Sequence, residues 1–372
     1  MISPTAYWRS GSWHLLGILV VLSLVAWLAP APSPTDQGMM ERVGQGVIVP
    51  GCADLNCFRI LVPATVESFP GPSIPRWRAY AVLANAAAAM TAGRLALALG
   101  LSPLAVTMTV WLSALGAGSF STIYHPYNAD PLVLFLAPLI TFLLLQRRPV
   151  AAAVFSTAGI FAKEFAAAPL YIAAAASALR HDWTGVRRHA LLAAGVTAIW
   201  VGLQLTLMSA FNYSYNENPS SRPLQGGYLI FWLRSVGPVT AAFGLFGAFG
   251  ALYLLIPAGW KLASPDLRAL SIGAIPALLA FMLVATPERA LWNFYFLAVP
   301  LAAIALAHLP VALNWFFVAS YALANLRIGA QLPNVPESRY AIAVTLLIAA
   351  AAVIRVLRTP ILPSRGAAAT MP

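Results

Sequence analysis

The sequence predicts an all-α, polytopic integral membrane protein with about eleven to thirteen transmembrane helices, each needing about 20 mostly apolar residues. Three observations carry this expectation. Of 372 residues, 60% are hydrophobic. Only 9% are charged, against about 25% in an ordinary soluble domain. Apolar runs also follow one another along the whole chain. A water-soluble fold of this length would need more polar surface than 11 acids and 22 bases supply. Disordered chains, coiled coils and nearly every soluble domain are excluded on the same ground.

The first span is expected over 13–29. Arg9, the apolar run from Leu15 to Ala29 and the Ala-Pro-Ala that follows resemble a secretory leader. Pro30, Pro32 and Pro34 read better as a rigid exit from a retained helix. A polar first outer loop follows over 30–77. Further spans are expected over 79–99, 103–120 and 131–145, with the polar, aromatic stretch Ser121 to Asp130 between the last two. Residues 150–179 are apolar except for Lys163-Glu164. As one helix, this stretch would bury two charges at mid-bilayer. As two short helices, it forms a hairpin with Lys163-Glu164 at its tip. Charge bias favours the hairpin: Arg147 and Arg148 precede it, Arg180, Arg187 and Arg188 follow it, and two crossings return both clusters to one side. Later spans are expected over 190–210, 240–259, 269–286, 291–308, 311–325 and 340–355. A second outer loop occupies 211–239, within which 228–237 is expected as an interfacial helix. The chain is expected to be a single membrane domain, 1–372, with no internal repeat.

The net charge of +11 does not point to nucleic acid. The bases sit in short loops between apolar runs, where the positive-inside rule places them. That rule puts the N-terminus in the cytoplasm. Only Asp182 and Asp266 then face the cytoplasm. Asp36, Glu41, Asp54, Glu67, Asp130, Glu164, Glu217, Glu288 and Glu337 face the outer side. Acids are not needed to set topology, so this bias suggests a polar site on the outer face, or else plain avoidance of acids in short basic loops.

Ionisable groups at membrane depth are costly and therefore functional candidates. Asp36 follows the first helix. Arg59 stands alone in the apolar segment Phe58 to Pro63. Asp130 opens a helix, as a functional carboxylate or as a cap. Lys163 and Glu164 form the hairpin tip, and Glu288 and Arg289 lie between two later spans. One or two carboxylates with two or three cations suit a lipid-phosphate substrate. A carboxylate serves as general base toward a hydroxyl, and the cations stabilise charge growing on a departing phosphate. Cys52 and Cys57 share the first outer loop. They form a disulfide in an oxidising compartment or stay as two thiols. With no other Cys or His in that loop, no metal site is expected there. Phosphate-binding loops, dinucleotide-binding glycine motifs and the H-E-x-x-H zinc motif are absent from the sequence.

The order of these parts resembles the GT-C superfamily of membrane glycosyltransferases, in its bacterial, mannosyltransferase-like branch. An acid directly after the first helix matches Asp36. A loop segment similar to "yRvLvP" matches Phe58-Arg59-Ile60-Leu61-Val62-Pro63, a helix-opening "DPL" matches Asp130-Pro131-Leu132, and a later "KE" matches Lys163-Glu164. The resemblance covers roughly 13–175, and Glu288-Arg289 extends it. It implies a GT-C-like fold and a polyprenyl-phosphate sugar donor. By that resemblance Asp36 activates the acceptor, and Lys163, Arg59 and Arg289 bind phosphate. Asp130 and Glu164 bind sugar hydroxyls or orient the base. The chain departs where many relatives have a tyrosine-rich stretch, since Gln37-Gly38-Met39-Met40 follows the acid here. No Asp-x-Asp pair calls for a divalent cation, and no cofactor is expected. The implied location is the bacterial inner membrane, with the active face periplasmic and membrane lipids as surroundings. The rival expectation is a secondary transporter or flippase, followed by a non-catalytic envelope scaffold.

Overall fold

In the computed structural model, residues 4–214, 227–326 and 338–358 are described. Among them the chain is all-helical, with eighteen α-helices. They are α1 (Pro4–Leu28), α2 (Pro34–Gly44), α3 (Leu61–Glu67), α4 (Ser73–Ala98), α5 (Pro103–Ala114), α6 (Ala117–Tyr124), α7 (Asp130–Leu145), α8 (Pro149–Ile160) and α9 (Ala168–Leu179). Then come α10 (Trp183–Phe211), α11 (Gly227–Phe249), α12 (Leu252–Leu262), α13 (Pro265–Gly273), α14 (Ile275–Val284), α15 (Pro287–Trp292), α16 (Tyr295–Leu306), α17 (Val311–Asn325) and α18 (Ser338–Arg358). Short 3₁₀ turns occupy Leu55–Phe58 and Glu164–Ala167.

Among the described residues, seven helical stretches are long and apolar enough to cross a membrane: Gly11–Leu28, Ser73–Ala98, Pro103–Tyr124, Trp183–Phe211, Gly227–Phe249, Pro265–Val284 and Arg339–Arg358. Six shorter apolar helices of 10–17 residues accompany them. Seven is fewer than the eleven to thirteen spans expected, and the other expected spans fall on these shorter helices. Helix α8 has 12 residues and rises about 18 Å, short of a hydrocarbon core about 30 Å thick. The long first loop is also not plain coil, because α2, α3 and a 3₁₀ turn fill it. Of the loop expected over 211–239, residues 227–237 are helical and run on into α11, with a kink at Gly237 where φ is 75°. Glu217 and Glu337 lie outside the described residues.

Lipid gives helices little hydrophobic reason to associate, so close contact between small residues takes over. Helix α4 shows this, burying Ala81, Asn85, Ala88, Ala92 and Ala96 along one face while packing against α1, α5 and α7. At the α12–α16 crossing, a Cβ on Gly259 would overlap the Leu301 carbonyl.

The expected hairpin is present, with α8 and α9 flanking a break at Phe161–Lys163. Ala162 and Lys163 amides donate to the Gly159 carbonyl at 2.9 Å, and Ser156 Oγ donates to the Ala166 carbonyl at 2.8 Å. Gly159 is required here, since a Cβ would collide with Ala166 and Leu136. Lys163 meets Asp130 at the N-terminus of α7. Arg147 and Arg148 follow the other end of α7, about 24 Å away along the helix. At that far end Arg180 pairs with Asp266 at 2.9 Å, and Asp182 caps α10 by accepting from the Gly185 amide at 2.9 Å.

Candidate functional site

The site is built where the first loop, the start of α7, the hairpin tip and α15 converge. Arg78 ties the end of α1 to α4 by donating to the Ala29 and Pro30 carbonyls at 2.8 and 2.7 Å. This sets where α2 begins, with Asp36 in its first turn. Behind the site, Met40, Val62, Val66, Trp77, Tyr127, Ala129 and Ala162 form one buried apolar cluster. That cluster locks α2, α3, α4 and the hairpin tip together. Glu67 serves this framework rather than the site, accepting from Trp77 Nε1 at 2.8 Å and pairing with Arg76 at 2.6 Å. The Leu61 amide donates to the Phe161 carbonyl at 3.0 Å, joining the Arg59 segment to the hairpin tip.

Helix α7 needs caps for its first amides. Asn128 Oδ1 accepts from the Asp130 amide at 2.8 Å, and the Tyr80 hydroxyl accepts from the Leu132 amide at 3.1 Å. Asp130 is therefore the first helical residue and not the cap, and its carboxylate is free for other partners. Its Oδ1 accepts from Lys163 Nζ, and its Oδ2 accepts from Arg289 Nη2 at 2.5 Å. Asp130 and Lys163 are both buried, whereas the Arg289 side chain is 42% exposed. The Asp130 carboxylate holds the Arg289 guanidinium protonated, raising its pKa above the ordinary arginine value. Arg59 stands further out, 3.9 Å from Glu164 and hydrogen-bonded to Asn56 Oδ1 at 3.2 Å.

These groups face a cavity of about 330 Å³. Asp36, Arg59, Asp130, Lys163 and Arg289 all line it. So five of the residues singled out in the sequence come together, from four separate chain regions. Glu164 and Glu288 do not. Glu164 lines a neighbouring apolar cleft of about 500 Å³ with Ile160, Tyr171, Trp200 and Phe281. Glu288 precedes Arg289 on α15 but is outside the cavity wall. Cys52 and Cys57 form a disulfide, buried beside Phe58 and Tyr213.

The sequence left several wall residues unassigned: Asp54, Asn56, Tyr127, Asn128, Tyr228, Thr286 and Trp292. Tyr127 and Asn128 belong to the polar aromatic stretch before Asp130, which was a visible signal. Asn56 lies inside the loop closed by the two cysteines. Tyr228 and Trp292 sit in apolar surroundings that conceal them in the sequence. His125 also reaches the wall. Tyr127 hydrogen-bonds Ser73 at 3.0 Å, and burial raises its phenol pKa.

Among the described residues three cations thus line the cavity, and the Asp130 carboxylate is committed to two of them. Asp54 accepts from the Asn56 amide at 2.8 Å. Among the described residues Asp36 forms no ion pair, and it is exposed to the cavity side of α2. Asp130 uses one of three Lys163 donors and one of five on Arg289. The remaining donors suit an anion with several acceptor oxygens. Among the described residues no cluster of His, Cys, Asp and Glu could hold a metal ion. No known family model matches this chain, and no curated protein is significantly similar to it.

Proposed function

We propose that the protein is a GT-C-like membrane glycosyltransferase that moves a sugar from a polyprenyl-phosphate donor to a periplasmic or lipid-linked acceptor. One observation carries this reading: the carboxylate of Asp36 and the cations Arg59, Lys163 and Arg289 line a single cavity. The phosphate seats against the cations. Asp36 takes the proton from an acceptor hydroxyl, whose oxygen forms the new bond to the anomeric carbon. The bond from that carbon to the phosphate oxygen breaks with inversion, and the electron pair leaves on the polyprenyl phosphate. Lys163 and Arg289 then stabilise the charge gained by the leaving group. Asp130 acts as the carboxylate that holds these two cations in place, rather than as a second base.

The apolar cleft beyond Glu164 supports the same reading, because it adjoins the site through the Glu164–Arg59 pair and offers an isoprenoid chain an unpolar bed. The implied setting is a bacterial inner membrane with the cavity opening to the periplasm.

The test is radiolabelled sugar transfer from defined polyprenyl-phosphate sugars by the purified protein. Transfer by the wild type and none by Asp36→Asn supports the reading. Full activity in Asp36→Asn removes the proposed base. Carrier movement between leaflets without transfer establishes the transporter alternative.

A further inference from the structure

The Cys52–Cys57 disulfide closes a ring whose intervening residues are Ala53, Asp54, Leu55 and Asn56. Asp54, Leu55 and Asn56 all lie on the cavity wall. The ring is anchored on the outside, since the Gly51 amide donates to the Phe211 carbonyl and the Ser214 amide to the Cys52 carbonyl, both at 3.0 Å. Inside it, Asp54 caps the 3₁₀ turn through the Asn56 amide. Asn56 then holds the segment beyond the ring. Its carbonyl accepts from the Arg59 amide at 3.1 Å, and its side-chain oxygen accepts from Arg59 Nη1 at 3.2 Å. Among the described residues the one ion pair of Arg59 is long, 3.9 Å to Glu164.

We propose that the disulfide is a positioning element for Arg59, so that the cation wall of the cavity is complete only in the oxidised protein. Reduction by a dithiol transfers two electrons and two protons to the bridge, giving two thiols and an oxidised dithiol. The two sulfurs remain packed against Phe58 and Tyr213, so the apolar cluster persists. What is lost is the closed ring, and with it the fixed register of Asn56 and Arg59. A short, constrained turn becomes a segment with many conformations.

The experiment has two arms. In the first, the purified full-length protein is labelled at arginine with phenylglyoxal, oxidised or reduced by dithiothreitol, and each site is quantified by mass spectrometry. Local opening of this ring by about 1.4 kcal/mol corresponds to about tenfold faster labelling of Arg59. Arg76, paired with Glu67 outside the ring, serves as the control and keeps its rate. The double variant Cys52→Ser/Cys57→Ser repeats the comparison without reductant. Unchanged Arg59 labelling in both overturns the proposal.

The second arm rests on the lipid-phosphate reading and measures Kd for a polyprenyl phosphate in detergent. Reduction weakens binding to the wild type and leaves Arg59→Ala unaffected, because the ring acts through that side chain. Equal weakening of both proteins makes the disulfide a structural staple only and overturns the proposal. Failure of the oxidised wild type to bind at all counts against the proposed function, and the labelling arm alone then decides the positioning role.

Discussion

The Asp130 carboxylate and the Arg289 guanidinium, 159 positions apart, meet at 2.5 Å. The same carboxylate also accepts from buried Lys163. This triad joins α7, the hairpin tip and α15, and makes the cavity's positive wall a product of three distant segments.

Removing Asp130 strands a buried ammonium. Breaking a buried pair this way costs about 3–5 kcal/mol. Asp130→Ala is expected to lower stability by that order, measured by reversible unfolding in detergent. Arg289→Ala, at a half-exposed position, is expected to cost about 1 kcal/mol. Equal effects would mean that Lys163 finds another partner.

Asp36 is exposed and, among the described residues, forms no ion pair, so its role is separable from folding. Asp36→Asn should leave the melting temperature within about 1 °C, as surface changes shift stability by about 0.5 kcal/mol or less. The same variant should lose transfer activity. Lost activity accompanied by a large drop in melting temperature would assign Asp36 to the framework.

Gly159 lets α8 approach the tip turn. Gly159→Ala places a methyl against Ala166 and Leu136 and should cost about 1–3 kcal/mol. It should also weaken polyprenyl-phosphate binding, because Lys163 follows directly from the displaced turn. Gly195→Ala, where a Cβ meets open space, is the matched control and should be neutral or slightly stabilising.

Topology can be read by single-cysteine labelling with a membrane-impermeant maleimide in a Cys-free background. Asp36→Cys and His125→Cys should react from one side, and Arg148→Cys and His181→Cys from the other. Labelling of positions 36 and 148 from the same side would dissolve the proposed outward cavity.

Tyr127 supplies a pH signature. Burial raises its phenol pKa above the ordinary value of 10.0. A raised pKa gives stability that is full below the unfolded value and is lost as pH rises through the folded one. Melting temperature should therefore fall above about pH 10, and fall less steeply in Tyr127→Phe. Identical slopes would mean that the phenol is solvated.

The membrane class, the helical character and the break in the 150–179 segment were legible in the chain itself, because hydropathy and loop charge are local properties that survive any arrangement of helices. The order of Asp36, Arg59, Asp130 and Lys163 was legible too. Which of them pair was not. Lys163 and Glu164 look like one unit in sequence, yet Lys163 has an extended backbone, φ −167° and ψ 142°, which sends neighbouring side chains to opposite sides. One side chain enters the polar cavity and the other the apolar cleft. Glu288 and Arg289 part for the related reason that adjacent residues on a helix do not share a face. The separate fates of Asp130, clamped by two cations, and Asp36, left open, likewise arise from contacts between remote segments. Composition cannot encode such contacts, because they exist only once α7, the hairpin and α15 are packed together.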